Sequence, residues 1–156
     1  TDDCAGQITI PANVIEIGFM AFKGKDVTKL TFEANSQLKK VNYYAFEMSK
    51  LTSISLPNGL KEILGGSFSF IPLTSVSIPG TVEWLEGSAF VETKIETVIF
   101  EPRIASNLNI QYGGEAFQYN RSLRSVTFNG PLTLDNVHTT GWAGRLLRVG
   151  RLLHSL

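Results

Sequence analysis

The sequence has few of the residues that build disulfide frameworks, metal centres and many catalytic sites. Its 156 residues include one cysteine, Cys4, and two histidines, His138 and His154. A single thiol cannot close a disulfide within the chain, and a structural zinc site needs more ligands than these. Nucleophile–histidine constellations also have little to draw on. We therefore expect packing to provide the stability, with no metal site, no cofactor and no enzymatic activity.

Extremes of charge and hydropathy are missing as well. Basic and acidic residues both number 14, so no net field favours nucleic acid or an anionic membrane. No apolar run reaches the roughly 18 residues of a membrane span. The start of the chain, residues 1–4, lacks an initiating methionine and the features of a signal peptide, which favours a mature or excised fragment. A hydrophobic content of 43% is enough for one ordinary globular core.

A six-residue box recurs along the chain. Each copy has a large apolar residue first, a small residue fifth and a phenylalanine last. The phenylalanines follow one another at steps of 24, 22, 22 and 27 residues, and a period of this size predicts a solenoid of stacked coils. We expect the phenylalanines to stack as a buried ladder and the small residues to let the coils approach closely. The ladder comprises Phe22, Phe46, Phe68, Phe90 and Phe117.

Between the boxes, six triplets alternate apolar, polar and apolar residues, which is typical of half-buried strands. Strands of one sense separated by long crossovers predict a single parallel sheet with one short strand per coil. An apolar pair three residues apart, such as Leu60 and Ile63, predicts a short helical or 3₁₀ turn in each crossover. The triplets are residues 8–10, 30–32, 54–56, 76–78, 98–100 and 126–128.

Two pairs of glycines, Gly65-Gly66 and Gly113-Gly114, occupy the same place in their boxes. A phosphate cradle would need a lysine and hydroxyl, or a further glycine, after a strand, and these are absent. We therefore interpret the glycines as a requirement of tight coil packing.

Residues 51–68 read LxxIxLPxxLxxIxxxSF, and this pattern resembles the BspA-like (Treponema pallidum-type) leucine-rich repeat over roughly residues 7–130. The resemblance implies an α/β leucine-rich-repeat solenoid of about five to six coils. It also implies a secreted or cell-surface protein, since relatives are associated with adhesion to host proteins or cells. Family members often carry a cysteine three residues after the phenylalanine. Here those positions hold Lys25, Ser49, Ile71, Thr93 and Asn120.

One candidate binding surface is the outward side of the predicted strands. Small hydroxyl residues there would make a flat polar strip that suits a broad protein surface. The alternative is that serine and threonine merely complete an exposed sheet. The candidate residues are Thr31, Ser53, Ser55, Ser75, Ser77, Thr97 and Ile99.

The second candidate surface combines the middle of the boxes with a long insertion. Tyr43 and Tyr44 are of a type common among interface anchors, and the insertion from Glu101 to Gln111 includes Arg103. Alternatively, the rings cover the junctions between coils. The triplet Asn120-Arg121-Ser122 also fits a glycosylation acceptor.

The repeats end near residue 130, so we predict a solenoid at 1–130 and a separate segment at 131–156. Residues 145–154 are basic and amphipathic. A cap on the last coil is the leading interpretation, with a partner-binding helix or a disordered tail as alternatives.

These observations predict a non-enzymatic protein-binding or adhesion module. Its partner would be a host or matrix protein or a glycan, and nucleic acid is not expected. The alternatives are a structural spacer within a longer repeat array and, third, an enzyme.

Overall fold

The computed structural model describes residues 5–102 and 116–130, and these residues form strands and turns but no helix. All strand pairings are parallel, and equivalent residues of successive coils lie side by side. The strands are β1 (Gly6–Ile10), β2 (Glu16–Ile17), β3 (Val27–Phe32), β4 (Lys40–Val41), β5 (Ser53–Ile54), β6 (Glu62–Ile63), β7 (Ser75–Ile78), β8 (Trp84–Leu85), β9 (Thr97–Phe100) and β10 (Ser125–Phe128).

The first face of the coil carries the strands predicted from the alternating triplets. Each triplet lies in a strand, although β5 ends at Ile54 and so leaves the last two residues of its triplet outside. The strands form two three-stranded sheets, β1-β3-β5 and β7-β9-β10. The prediction of a single continuous sheet is therefore wrong, because no strand pairing joins β5 to β7.

The second face corrects the prediction of helical turns. The last two residues of each expected turn form the short strands β2, β4, β6 and β8, which make a four-stranded parallel sheet. The inward residue of each is buried, for example Val41 and Ile63 at 0% exposure. A single helical turn leaves most of its backbone groups unpaired. Short strands instead pair their backbone groups with the neighbouring coil. The residue after β4, β6 and β8 donates its N–H to the carbonyl that ends the preceding short strand, at 3.0 Å in each case.

The third face is formed by the boxes and the residues after them. These residues make consecutive tight turns, and the turns are also joined from coil to coil. The N–H of each of the first four box phenylalanines donates to the carbonyl of the small residue in the next box, at 2.7–2.8 Å. This close approach confirms the role predicted for the small fifth residue.

The core is built around the phenylalanine ladder, which the structure confirms. Successive rings from Phe22 to Phe117 stack with centroids 5.0–5.3 Å apart and planes within 3–9° of parallel. Phe46, Phe68 and Phe90 are fully buried. Buried leucine, isoleucine and valine side chains from the strands complete the interior. The described residues thus form a parallel solenoid in which successive coils pair through their backbones on up to three faces.

We expect Phe68→Ala to destabilise the protein by roughly 3–5 kcal/mol, because it removes a central rung of the ladder and leaves a cavity. Phe70→Ala is the matched control, since Phe70 lies two residues away and is 43% exposed. Its effect should stay within about 0.5 kcal/mol. Urea unfolding of both variants measures the difference, and equal losses would contradict the ladder's role.

Candidate interaction surfaces

The hydroxyl row predicted on the first face is present, and some of its hydroxyls bond to neighbouring residues within the protein. Thr9 and Thr31 share a hydrogen bond between their Oγ1 atoms at 2.8 Å, and Thr31 Oγ1 also contacts the carbonyl of Ile8 at 3.2 Å. Ser77 donates to the carboxylate of Glu101. Ile99 pairs in register with Ser77 and is half-buried. These hydroxyls are therefore occupied by contacts between neighbouring strands.

Four other residues of the row have hydroxyls without such contacts. Ser53, Ser55 and Ser75 are exposed and Thr97 is half-buried. None of these four hydroxyls bonds to another side chain in the part of the chain that the structure describes. The serines flank the junction of β5 and β7, where strand pairing lapses. These hydroxyls therefore lie on the exposed side of the first face, close to the place where strand pairing lapses.

Tyr43 lies on the third face and extends along the solenoid axis. Its hydroxyl donates to Glu86 Oε1 at 3.3 Å, and Glu86 Oε2 accepts the N–H of Gly65 at 3.1 Å. The side chain therefore starts on the second coil, passes Gly65 on the third and ends on the fourth. Burial raises the pKa of the Tyr43 phenol above its ordinary value, and the bond to Glu86 adds to the shift.

Tyr44 explains the neighbouring glycine. A Cβ atom at Gly66 would lie 2.5 Å from Cδ1 of the Tyr44 ring, which is too close for any larger residue. Lys23 Nζ lies 5.5 Å from the ring centroid, and Phe19 contacts the ring edge-on at 6.2 Å. Tight coil packing thus explains Gly65-Gly66, as predicted. Both tyrosines nevertheless remain 39% and 40% exposed, so their rings cover coil junctions on one side and face outward on the other.

The second face carries a separate set of charged contacts. Lys40 Nζ lies 3.0 Å from Glu62, and this hydrogen bond raises the pKa of the lysine. Lys61 contacts Glu83. Asn42 Nδ2 donates to Glu16 at 2.6 Å. Each contact joins adjacent coils, so these groups are occupied within the scaffold.

Comparison with protein families agrees with the coil geometry. The family model described as the BspA type leucine rich repeat region matches residues 3–124 in six copies. The chain belongs to this family. Leucine-rich repeat proteins generally mediate protein binding, and BspA-type members are often secreted or surface proteins. No curated protein and no solved structure matches the chain significantly.

In BspA-type repeats the third residue after the phenylalanine is often a cysteine. In the last box this residue is Asn120, whose side chain forms several hydrogen bonds. Asn120 Nδ2 donates to the carbonyls of Phe90 and Phe117 at 2.7 and 3.0 Å. Its Oδ1 accepts the N–H of Thr93 at 2.8 Å. A glycan on this nitrogen would have to replace one of the two donated bonds. Sequence reasoning treated Asn120 as a surface acceptor and missed this role, because its partners lie up to 30 residues away.

The structure does not bring all predicted site residues together. No hydrogen bond, ion pair or ring contact within 5–102 and 116–130 links the tyrosine pair to the hydroxyl row. Arg103 and the rest of its insertion lie outside the described residues, as do Cys4, His138, His154 and the segment at 131–156. The described residues contain no cluster that could hold a metal ion and no helix able to cross a membrane.

We expect Gly66→Ala to destabilise this BspA-type coil by about 1–3 kcal/mol, because a side chain there meets the Tyr44 ring and φ is +68°. Gly18→Ala is the control: nothing lies within 4 Å of its Cβ position. Thermal or urea unfolding compares the two. Adding Tyr44→Ala to Gly66→Ala should recover the part due to the ring, and an unchanged loss would contradict that contact.

The Tyr43–Glu86 contact predicts a pH effect. Because the folded-state pKa of Tyr43 is raised, its stabilising contribution is complete below the unfolded value near 10 and is lost as pH rises through the folded value. Glu86→Gln should bring the Tyr43 pKa closer to its ordinary value. Ultraviolet titration of phenolate measures this, with Tyr43→Phe identifying the signal. Glu83→Gln, whose carboxylate contacts Lys61, should leave the titration unchanged.

Proposed function

We propose that this chain is a non-enzymatic binding module of a secreted or cell-surface repeat protein, and that it adheres to a host or matrix protein or to a glycan. The family supports the general role of protein binding. The adhesive role rests on the middle of the first face, where Ser53, Ser55, Ser75 and Thr97 present hydroxyls with no side-chain partner.

The supporting observation is the contrast between this patch and its surroundings. The hydroxyls of Thr31 and Ser77 are engaged by neighbouring residues, whereas those of the four patch residues have no side-chain partner among the described residues. A rigid and uncharged polar strip can hydrogen-bond a broad partner without first breaking internal contacts. A buried carboxylate or histidine for acid–base chemistry does not accompany it in the described ranges.

The other predicted binding residues stay predictions. Tyr43 and Tyr44 present one exposed side each and would extend contact onto the third face. Ser77, Thr31 and Ile99 would form the margins of the strip. Arg103 would act from the insertion.

The test is binding of the intact chain to immobilised matrix proteins and glycans. Ser53→Arg/Ser75→Arg places two bulky cations at the centre of the strip and should weaken binding at least about tenfold, or 1.4 kcal/mol. Asn58→Arg is the control, because Asn58 is exposed on a turn outside the strip.

Unchanged binding by the double variant would refute this choice of surface. If the chain bound no matrix component while a longer parent protein did, the spacer interpretation would replace the adhesive one. The unfolding curves of the variants should match the curve of the unsubstituted chain, since both serines are exposed.

A further inference from the structure

A second exposed surface runs along the third face, at the second residue after each box phenylalanine. Met48, Phe70, Glu92 and Tyr119 occupy this position in four successive coils, and we call them the ridge. The N–H groups of the first three donate to the next coil at 3.0–3.1 Å, which aligns the ridge residues from coil to coil. Met48, Phe70 and Tyr119 are 58%, 43% and 58% exposed, and Glu92 is exposed too.

The ridge residues have a backbone conformation that favours glycine. Their φ angles are 57°, 56°, 50° and 60°, and the equivalent residue of the first coil is Gly24 at 66°. A residue with a Cβ atom is strained in this region, whereas glycine is not. The coil geometry therefore favours glycine at every ridge position, yet four positions carry a large side chain.

The ridge side chains lie outside the core and form no ring pair or ion pair among the described residues. The Phe70 and Tyr119 rings make no aromatic contact in the described part of the chain, and Glu92 has no ion pair there. Met48, Phe70 and Tyr119 are also not among the half-buried residues packed against the core. Tyr44 is different: it is strained as well, but it packs against Gly66 and Phe19. Strained and exposed residues whose side chains form no ring pair or ion pair among the described residues indicate a function at the surface.

The spacing of the ridge residues along the solenoid axis favours one conformation of a bound peptide. Phe70 and Tyr119 lie two coils apart, with coil steps of 5.1 Å each along the phenylalanine ladder, and Glu92 holds the same position on the coil between them. A polyproline II helix repeats every three residues, or about 9.3 Å, which is close to two coil steps. An extended strand repeats its side chains about every 6.7 Å and does not match.

An α-helix, with a pitch of about 5.4 Å, would set one turn against every coil, and the turn opposite Glu92 would need a basic residue between two apolar turns. A polyproline II segment that places apolar residues against the two rings leaves the residues between them able to reach Glu92. An arginine or lysine there would complement the carboxylate.

We propose that the ridge binds a proline-rich segment in the polyproline II conformation that carries a basic residue. The aromatic rings of Phe70 and Tyr119 receive the proline rings, and Glu92 pairs with the cation. Met48 lies one coil step from Phe70 and flanks this site. This site is separate from the strip of hydroxyls on the first face and uses none of its residues.

The test is fluorescence anisotropy of a labelled synthetic proline-rich peptide containing one arginine, titrated with the full chain. We expect saturable binding that falls at least tenfold when the peptide arginine is replaced by glutamate, or when the protein carries Glu92→Gln. A basic amphipathic helical peptide serves as a competing probe. Tighter binding of that probe, or no saturable binding of the proline-rich peptide, would overturn the proposal.

Glycine substitutions separate a binding role from a structural one. Phe70→Gly and Tyr119→Gly remove the rings and relieve the strained backbone, so each should lower peptide affinity at least tenfold while the unfolding midpoint stays constant or rises. Ser88→Gly is the matched control, because Ser88 has φ 62° but lies off the ridge. It should leave peptide binding unchanged.

If Phe70→Gly and Tyr119→Gly unfolded more readily than the parent chain, the ridge side chains would be structural and the proposal would fail. Ser53→Arg/Ser75→Arg should bind the peptide normally, so a loss in that variant would place the peptide site on the first face. Failure of the ridge and failure of the adhesive strip can therefore be told apart.

Discussion

Each coil of this protein depends on hydrogen bonds to the coils beside it. Strands on two faces and turns on the third donate backbone N–H groups to carbonyls of the neighbouring coil, and the stacked phenylalanines fill the interior that these bonds enclose. One unit of about 22 residues cannot bury its own apolar side chains or pair its own backbone. Stability therefore belongs to the stack and is shared between nearest neighbours.

This dependence divides the side chains into two groups. Inward positions must fit the ladder and vary little in character from coil to coil, whereas outward positions form columns that extend along the axis. Charged columns, such as the pairs Lys40–Glu62 and Asp26–Lys50, join adjacent coils at 3.0 and 2.8 Å. Because these pairs are substantially exposed, they contribute little to stability. The informative columns are those whose side chains have no internal partner.

The third face shows how a backbone requirement can remain hidden in a repeat. Left-handed residues recur at two positions of each turn, but glycine occupies only some of them, as at Gly24 and Gly66. Met20 and Tyr44 adopt the same conformation as Gly66, and Phe70 the same as Gly24. A glycine pattern could not reveal these positions, since the neighbouring coils impose the conformation on whatever residue stands there.

The sequence by itself determined the period, the phenylalanine ladder, the alternating strands and the family, because these follow from burial that repeats with the chain. The tertiary structure decided which backbone groups and which outward side chains pair across coils. Short strands replace the expected helical turns because equivalent residues of the next coil offer hydrogen-bond partners. Tyr43 reaches Glu86 and Asn120 reaches Phe90 across 43 and 30 residues. Local sequence patterns indicate which side chains are buried, but they do not indicate which residue of a neighbouring coil an outward side chain contacts.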